Sequence, residues 1–247
     1  VEGTIALRYR FHVDEVPAGP VTLAMEQPKR YRIELNGREV STDAECGWWV
    51  DPAIRRVPLD TARLHEGVNE LTMTAEMDDN LQLELCYLLG EFGVTMAAPD
   101  EPHMTAARPA PIVGDWTRQG LPFYSGGVAW HAEVECSCDD GERVFVEVPE
   151  FAGACARVLV NGREAGVIGW RPHEVDVTDL VRGHREVTLT VEVISHRRNA
   201  FGPLHNTEEP MRWTGPAQFV THHSTWTDDY LLVPCGLLAA PRLSVRK

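Results

Sequence analysis

Hydrophobic and polar residues alternate with a period of two along much of the chain. The clearest alternating runs are 128–136, 144–148 and 187–193, and a further run covers 81–87. This alternation is typical of β-strands that bury one face, and no stretch shows a helical period over three turns. We therefore predict an all-β fold of short strands in antiparallel sheets, packed in pairs as β-sandwiches.

The tetrapeptide Asn-Gly-Arg-Glu occurs twice, at 36–39 and 161–164. Each copy lies between apolar runs, where Asn-Gly predicts a tight hairpin turn. Both copies are followed by a Trp-Pro loop, a Leu…Gly turn and a Thr-rich strand. If Leu71 is aligned with Val187, 35 positions follow the first Asn and 26 follow the second. The first copy then has nine extra residues, which we place around Trp48, and the chain is predicted to hold two copies of one module.

Proline distribution predicts where the modules separate. Four prolines fall within 97–111 among small residues, which predicts an extended connector or an edge strand crossing between the modules. We predict a first domain at 1–96, a Pro-rich connector at 97–113, and a second domain with a C-terminal extension at 114–247. Because alternation is already under way at Val1, we expect the chain to be a piece of a longer protein.

Composition narrows the classes of partner. The chain has 247 residues, 43% of them hydrophobic, and a formal net charge of −14. A surface this acidic argues against nucleic acid and anionic membranes as partners, because both require a basic face. No apolar run approaches the roughly 18 residues of a membrane-spanning helix. Of the six cysteines, Cys86, Cys136 and Cys155 lie in or beside apolar strand-like runs, so we expect reduced core thiols, which slightly favours a cytoplasmic location.

The repeated pattern resembles a known family of modules. The order of strand, Asn-Gly turn, Trp-Pro loop and Thr-rich strand is similar to the galactose-binding-like jelly-roll modules of bacterial glycoside hydrolases. These include the sugar-binding domain of glycoside hydrolase family 2 and the C-terminal modules of α-L-rhamnosidase-type enzymes. Four further segments resemble the C-terminal region of rhamnosidase-like proteins, at 88–94, 114–130, 198–206 and 229–237.

This resemblance implies two tandem jelly-roll sandwiches that accompany a catalytic domain lying upstream. The implied function is non-catalytic: packing on that catalytic domain and contributing loop residues to sugar recognition. Two alternatives stay open, an independent carbohydrate-binding module and a purely structural protein-interaction unit. The expected partners are therefore carbohydrate and the upstream catalytic domain of the same polypeptide.

Sugar recognition needs flat aromatic faces and planar polar groups. The Trp-Pro loops and the polar segment 196–206 carry both, so the candidate ligand-binding residues are Trp49, Trp170, Arg171, His173, Arg198, Asn199 and His205. Of Trp48 and Trp49, one is expected to pack and the other to be exposed, because neighbours on an extended chain point opposite ways. The alternative for Trp170 is a cap on its core with Arg171 stacked over it. The alternative for segment 196–206 is a loop held by its own hydrogen bonds.

The sequence does not predict a catalytic or a metal site. Glycoside hydrolysis needs two separated carboxylates, one of them in an apolar pocket, whereas the acidic pairs here are adjacent and lie in polar stretches, at 78–79, 139–140, 208–209 and 228–229. His222 and His223 would face opposite sides of a strand. We therefore expect no catalytic residues, no metal ligands and no cofactor, with the family resemblance leaving room for a structural Ca²⁺.

Overall fold

A computed structural model describes residues 3–81, 83–106, 111–208, 214–219 and 225–247. The chain divides into two compact units, Val1–Pro109 and Ala110–Lys247. Both units are built mainly of β-strands, so the predicted all-β class is confirmed. Among the described residues, no helix has the length and apolar character needed to cross a bilayer.

The described residues of unit 1 form ten strands in two sheets. The strands are β1 (Gly3–Val13), β2 (Val21–Glu26), β3 (Arg32–Leu35), β4 (Arg38–Val40), β5 (Trp48–Trp49), β6 (Asp51–Leu59), β7 (Gly67–Met77), β8 (Tyr87–Gly90), β9 (Phe92–Ala98) and β10 (Glu101–Ala106). One sheet has the order β4-β3-β7-β1-β10-β9 and the other β5-β6-β2-β8. Short 3₁₀ helices connect some of these strands, at Pro28–Arg30, Thr42–Ala44 and Thr61–Arg63.

The core of unit 1 draws on both of its sheets. Alternate residues of β2, β3, β6 and β7 point inward and form one buried cluster, which includes Leu23, Ile33, Leu35, Val57 and Met73. Burial of these side chains is the main stabilising contribution of the unit. The long strand β1 pairs antiparallel with β7 along its whole length and parallel with β10 at its end.

The described residues of unit 2 form nine strands and two short α-helices. The strands are β11 (Gly127–Glu135), β12 (Arg143–Glu147), β13 (Phe151–Ala152), β14 (Cys155–Val160), β15 (Arg163–Ile168), β16 (Glu174–Asp176), β17 (Glu186–Ile194), β18 (Gly236–Leu237) and β19 (Arg242–Arg246). The helices are α1 (Thr178–Val181) and α2 (Arg198–Phe201), with 3₁₀ turns at Trp116–Arg118 and Pro216–Phe219. The sheets have the orders β11-β17-β14-β15, β16-β12-β19 and β13-β18.

A second buried cluster forms the core of unit 2. It joins valines of β12, β14 and β17 to the fully buried ring of Trp116. The indole of Trp130 stacks on that of Trp116, with ring centroids 6.1 Å apart. The alternation that predicted strands at 128–136, 144–148 and 187–193 therefore corresponds to β11, β12 and β17.

The two units repeat one strand connectivity. The order β4-β3-β7-β1 in unit 1 corresponds to β15-β14-β17-β11 in unit 2, and β6-β2-β8 corresponds to β16-β12-β19. Both Asn-Gly pairs form the predicted hairpin turns, with φ of 51° at Asn36 and 48° at Asn161 and positive φ at the glycines that follow. The repeat in the sequence is therefore a repeat of topology.

Two predictions about local structure are wrong. Residues 97–106, expected in the connector, complete β9 and form β10, which pairs within the sheet of unit 1. Leu83 and Leu85, expected on the buried face of a strand, are exposed, and the strand begins only at Tyr87. The prolines of the expected connector do not prevent pairing, because Pro102 lies at a register shift between β9 and β10 where the ladder is already interrupted.

Candidate functional site

Trp170 is the most exposed large hydrophobic side chain of the described residues, with 82% of its surface accessible. It lies in the loop between β15 and β16, directly after the buried Ile168 and the exposed Gly169. The alternative in which Trp170 caps the core is therefore wrong. An indole left in water leaves apolar surface uncovered, which is typical of a contact residue.

Residues beside Trp170 supply polar groups at the same loop. Arg171 is exposed and precedes Pro172 through a cis peptide bond. His173 is half-buried, with its ring 5.0 Å from that of Phe151, and its carbonyl accepts a hydrogen bond from Val148. The loop thus starts and ends on packed residues and presents Trp170 and Arg171 between them.

In unit 1 the equivalent loop carries two tryptophans in different environments. Trp49 is half-buried with its ring 5.2 Å from Tyr87, whereas Trp48 is 53% exposed. One packed and one exposed indole is the predicted arrangement, but the exposed one is Trp48 and not the candidate Trp49. Trp49 therefore contributes to packing, and Trp48 is the exposed indole of this segment.

Asn199 is not placed to bind a ligand. Its side chain is 3% exposed, and its amide pairs with the backbone of Val233 in both directions. The Asn199 Nδ2 group donates to the Val233 carbonyl at 2.8 Å, and the Val233 N–H donates to Asn199 Oδ1 at 3.0 Å. Because both amide groups are used in this pair, Asn199 joins its loop to the chain segment around Val233.

Arg198 is also held by its own loop. Its Nη2 donates to the Pro203 carbonyl at 3.2 Å, and its backbone N–H donates to His196 Nδ1 at 3.0 Å. Burial lowers the pKa of the guanidinium, because a low-polarity surrounding disfavours the charged form. The contacts of Arg198 are therefore those of a loop-forming residue.

His205 belongs to an aromatic cluster that the sequence did not identify. Its ring stacks on Trp226 at 4.7 Å and lies 4.6 Å from Tyr230, which in turn contacts Phe123 at 5.1 Å. Trp226 is 44% exposed, and its indole N–H donates to Asp228 at 3.0 Å. Trp226 and Tyr230 lie in segment 226–230, whose sequence Trp-Thr-Asp-Asp-Tyr shows no regular alternation of hydrophobic and polar residues.

The candidate residues therefore divide by their contacts. Trp170 and Arg171 face solvent, His173 and His205 are half-buried against aromatic rings, and Arg198, Asn199 and Trp49 support packing. Trp49 lies in unit 1 and the other six in unit 2. The Trp170 loop is exposed, whereas Arg198 and Asn199 of the polar segment 196–206 are held by contacts within unit 2.

The acidic pairs engage in local structural contacts. Asp78 forms an ion pair with Arg30 at 2.7 Å and accepts from the Asn80 N–H, and these bonds hold the pKa of Asp78 below its usual value. Unit 2 has an open depression of about 650 Å³, but Asp176 in its lining is paired with Arg143. Glu209, His222 and His223 lie outside the described residues.

All six cysteines lie in the described part of the chain and are free thiols. Cys235 is buried, whereas Cys46 is exposed, so the prediction of core positions is wrong for Cys46. Burial raises the pKa of Cys86 to about 11. A buried thiol of this kind is protonated at neutral pH and unreactive.

Comparison with known proteins gives matches among solved structures. No protein-family model and no curated protein sequence matches the chain. A rhamnosidase from Novosphingobium sp. PP1Y matches with 16% identity and a TM-score of 0.41, over 98% of this chain and 23% of that protein. A Streptomyces avermitilis alpha-L-rhamnosidase complexed with L-rhamnose matches with 16% identity and a TM-score of 0.31, over 77% of this chain and 22% of that protein.

A third solved structure is an FMN-binding beta-glucuronidase from F. prausnitzii L2-6. It matches with 18% identity and a TM-score of 0.31, over 66% of this chain and 19% of that protein. The chain thus spans less than a quarter of the length of each of these glycoside hydrolases. Structural likenesses with TM-scores below 0.5 say nothing about the activity of this chain.

Proposed function

We propose that the chain is a non-catalytic, carbohydrate-contacting accessory region of a larger glycoside hydrolase. In this proposal the two units are tandem jelly-roll sandwiches of the galactose-binding-like type. The observation that carries the proposal is the exposure of Trp170 in a loop held at both ends by packed residues. The repeated strand connectivity of the two units supports the modular part of the proposal.

The chemistry of the Trp170 loop suits a sugar ring. The indole face offers a flat apolar surface for the C–H groups of a pyranose, and stacking of the sugar on this face excludes water from the contact. Arg171, exposed beside it, carries five N–H donors for hydroxyl or carboxylate oxygens. Stacking with one adjacent donor predicts weak, orientation-specific binding of a single sugar residue.

The accessory part of the proposal is supported by the surroundings of the acidic residues that the structure describes. The adjacent carboxylates that the structure describes do not flank an apolar cleft; Asp78, for example, is paired with Arg30. A pair that cleaves a glycosidic bond needs about 5–10 Å between its carboxyls and one group in a pocket that raises its pKa. We therefore assign hydrolysis to a separate catalytic domain.

Calorimetry on the chain with rhamnose- and galactose-containing oligosaccharides, with and without Ca²⁺, tests the proposal. The variant Trp170→Ala should abolish binding, while Trp226→Ala, which removes another exposed indole of the same unit, should leave it intact. Loss of binding in Trp226→Ala alone would move the contact to the His205 cluster. Absence of binding to every glycan would refute carbohydrate contact and leave the alternative of a structural unit.

Affinity measured on the chain alone also distinguishes an accessory region from an independent carbohydrate-binding module. An independent module binds glycans without its catalytic partner, with a dissociation constant that does not change when that partner is added. An accessory region gains affinity when the partner supplies further contacts to the same glycan.

A further inference from the structure

A group of metal-ligand side chains lies in unit 1, and none of its members is among the candidate residues that the sequence singled out. His12, Asp14 and His103 place one donor atom each within 4.8 Å of the others. The group arises from strand register: β1 and β10 run parallel, and His12 lies directly opposite His103. Asp14 follows two residues after His12, and its backbone N–H donates to the Met104 carbonyl at 2.8 Å, which extends the pairing.

The donor atoms already have separations close to those of a metal centre. Asp14 Oδ1 lies 2.9 Å from His103 Nδ1 and 3.2 Å from His12 Nδ1. Ligands at 2.0–2.1 Å from a tetrahedral Zn²⁺ stand about 3.3 Å from one another. The carboxylate oxygen is thus spaced from both imidazoles as it would be in a shared coordination sphere.

A second carboxylate orients one of the imidazoles. His103 Nε2 lies 3.4 Å from Glu101 Oε1, on the far side of the ring from Asp14. Without a metal ion, His103 Nδ1 is within hydrogen-bond distance of Asp14 Oδ1. An ion bound at Nδ1 would replace this hydrogen bond and leave the Nε2–H directed toward Glu101, the arrangement found around metal-bound histidines. Glu101 is thus placed to support His103 as a ligand.

Two buried ring nitrogens of the group, His12 Nδ1 and His103 Nε2, have no well-aligned hydrogen bond among the described residues. His12 Nδ1 is the one that faces the other donor atoms, since Asp14 Oδ1 is 3.2 Å away. Buried polar atoms without partners are rare because burial removes their hydrogen bonds to water and no protein group replaces them. A cation between His12, His103 and Asp14 would satisfy this nitrogen together with the other two donors.

We propose that His12, Asp14 and His103 bind a divalent metal ion of the zinc type, with Glu101 as the carboxylate that orients His103. Two imidazole nitrogens and one carboxylate oxygen are ligands that suit Zn²⁺ and other divalent transition-metal ions. Ca²⁺, in contrast, prefers oxygen ligands alone. The rings of His12 and His103 are stacked at 3.9 Å, so binding turns them until their lone pairs converge. His12, with 32% of its side chain exposed, has room to turn.

Three protein ligands leave the fourth position of the ion for water or for a donor from another molecule. The ion would join the end of β1 to β10, two strands far apart in the chain. Because it binds only the paired strands, it would stabilise unit 1 against unfolding. The site is independent of the carbohydrate contact proposed for unit 2.

Titration of the metal-free chain with Zn²⁺ and with Co²⁺ tests the site. We expect one ion per chain at this site, tetrahedral Co²⁺ absorption bands without a thiolate charge-transfer band, and a rise in the thermal midpoint of unit 1. His103→Ala and the isosteric Asp14→Asn should weaken binding by about 100-fold or more, and Glu101→Gln by about 10-fold. His184→Ala, an exposed histidine of unit 2, should not change it.

Circular dichroism of each metal-free variant establishes that it is folded, and Asp14→Asn preserves the shape of the site if His103→Ala does not fold. Equal zinc affinity in the parent chain and in a folded Asp14→Asn variant would overturn the proposal. A cobalt spectrum dominated by thiolate charge transfer would assign the ion to the free cysteines and would also overturn it.

Discussion

Asn161 and Thr188 are joined twice, by the backbone and by the side chain. The Asn161 N–H donates to the Thr188 carbonyl at 2.9 Å, and the Thr188 N–H donates to Asn161 Oδ1 at 2.9 Å. Asn36 makes the same two bonds with Glu70, both at 2.8 Å. The repeated Asn-Gly thus ties its hairpin to the next strand of the sheet in both units.

This relationship corrects the alignment of the two modules. It makes Glu70 equivalent to Thr188, separated from their Asn by 34 and 27 positions, so the first copy has seven extra residues and not nine. The sequence alignment was therefore shifted by two residues. A shift of two keeps every side chain on the same face of a strand, which is why the hydrophobic pattern could not reveal it.

The first prediction concerns the Asn161 turn. Asn161→Ala should destabilise unit 2 by about 1–2 kcal/mol, because alanine disfavours positive φ and cannot accept from Thr188. Asn161→Gly keeps the turn conformation and loses only the side-chain bond, so it should cost less than alanine. Urea unfolding of the parent chain, Asn161→Ala and Asn161→Gly measures the contributions of the turn conformation and of the side-chain hydrogen bond. A glycine variant less stable than the alanine variant would contradict this account.

The second prediction concerns Asp176, which ends β16 and accepts hydrogen bonds from Thr178, the first residue of α1. Hydrogen bonds from the Thr178 hydroxyl and backbone N–H, with Arg143 nearby, hold the pKa of Asp176 below its usual value despite partial burial. A depressed carboxyl pKa contributes stability above the unfolded pKa of about 3.9, and this contribution is lost as the pH falls through the folded pKa. Asp176→Asn keeps an acceptor oxygen for Thr178 but removes the charge that pairs with Arg143, so it should cost at most about 1 kcal/mol at pH 7.

Unfolding midpoints at pH 7 and at about pH 3 measure this dependence, since the difference between the parent chain and Asp176→Asn should shrink in acid. Asp179→Asn changes an exposed carboxylate three residues away and is the matched control. A difference that persists unchanged at low pH would mean that the charge of Asp176 is not what stabilises the turn.

The third prediction distinguishes a structural role of Asn199 from a role in ligand binding. Asn199→Ala removes both partners of the Val233 backbone and should destabilise unit 2 by about 2–3 kcal/mol, because buried groups are left unpaired. Trp170→Ala should leave stability within about 0.5 kcal/mol, since its side chain is exposed. If Asn199→Ala kept full stability and lost glycan binding, the original interpretation as a ligand residue would be restored.

The fourth prediction uses fluorescence quenching. Trp170, Trp48 and Trp226 are exposed and should be quenched by acrylamide, whereas the buried Trp116 should be protected. Iodide should quench less than acrylamide, because the chain carries a net charge of −14 that repels anions. Trp170→Phe should reduce the quenchable fraction more than Trp130→Phe, and an equal effect of the two substitutions would contradict the exposure of Trp170.

The fold class and the hairpin turns follow from local signals that a sequence carries. Alternation marks half-buried strands, and Asn-Gly readily takes the positive φ of a tight turn. The exposure of Trp170, the burial of Asn199 and the His12–Asp14–His103 group depend on the rest of the fold, including partners distant in the chain. His12 and Asp14 are two residues apart at the end of an alternating run, which places both on one face but does not indicate His103.

The parallel pairing of β1 with β10 sets an order of events during synthesis. β1 is the first strand of unit 1 to leave the ribosome, and the end of its second edge, at His12 and Val13, is covered only after β10 has been synthesised. Until residue 106 has emerged, that edge offers unpaired backbone groups to other chains. A fragment that ends at residue 96 would keep this exposed edge permanently, and we expect it to aggregate where the chain through residue 106 does not.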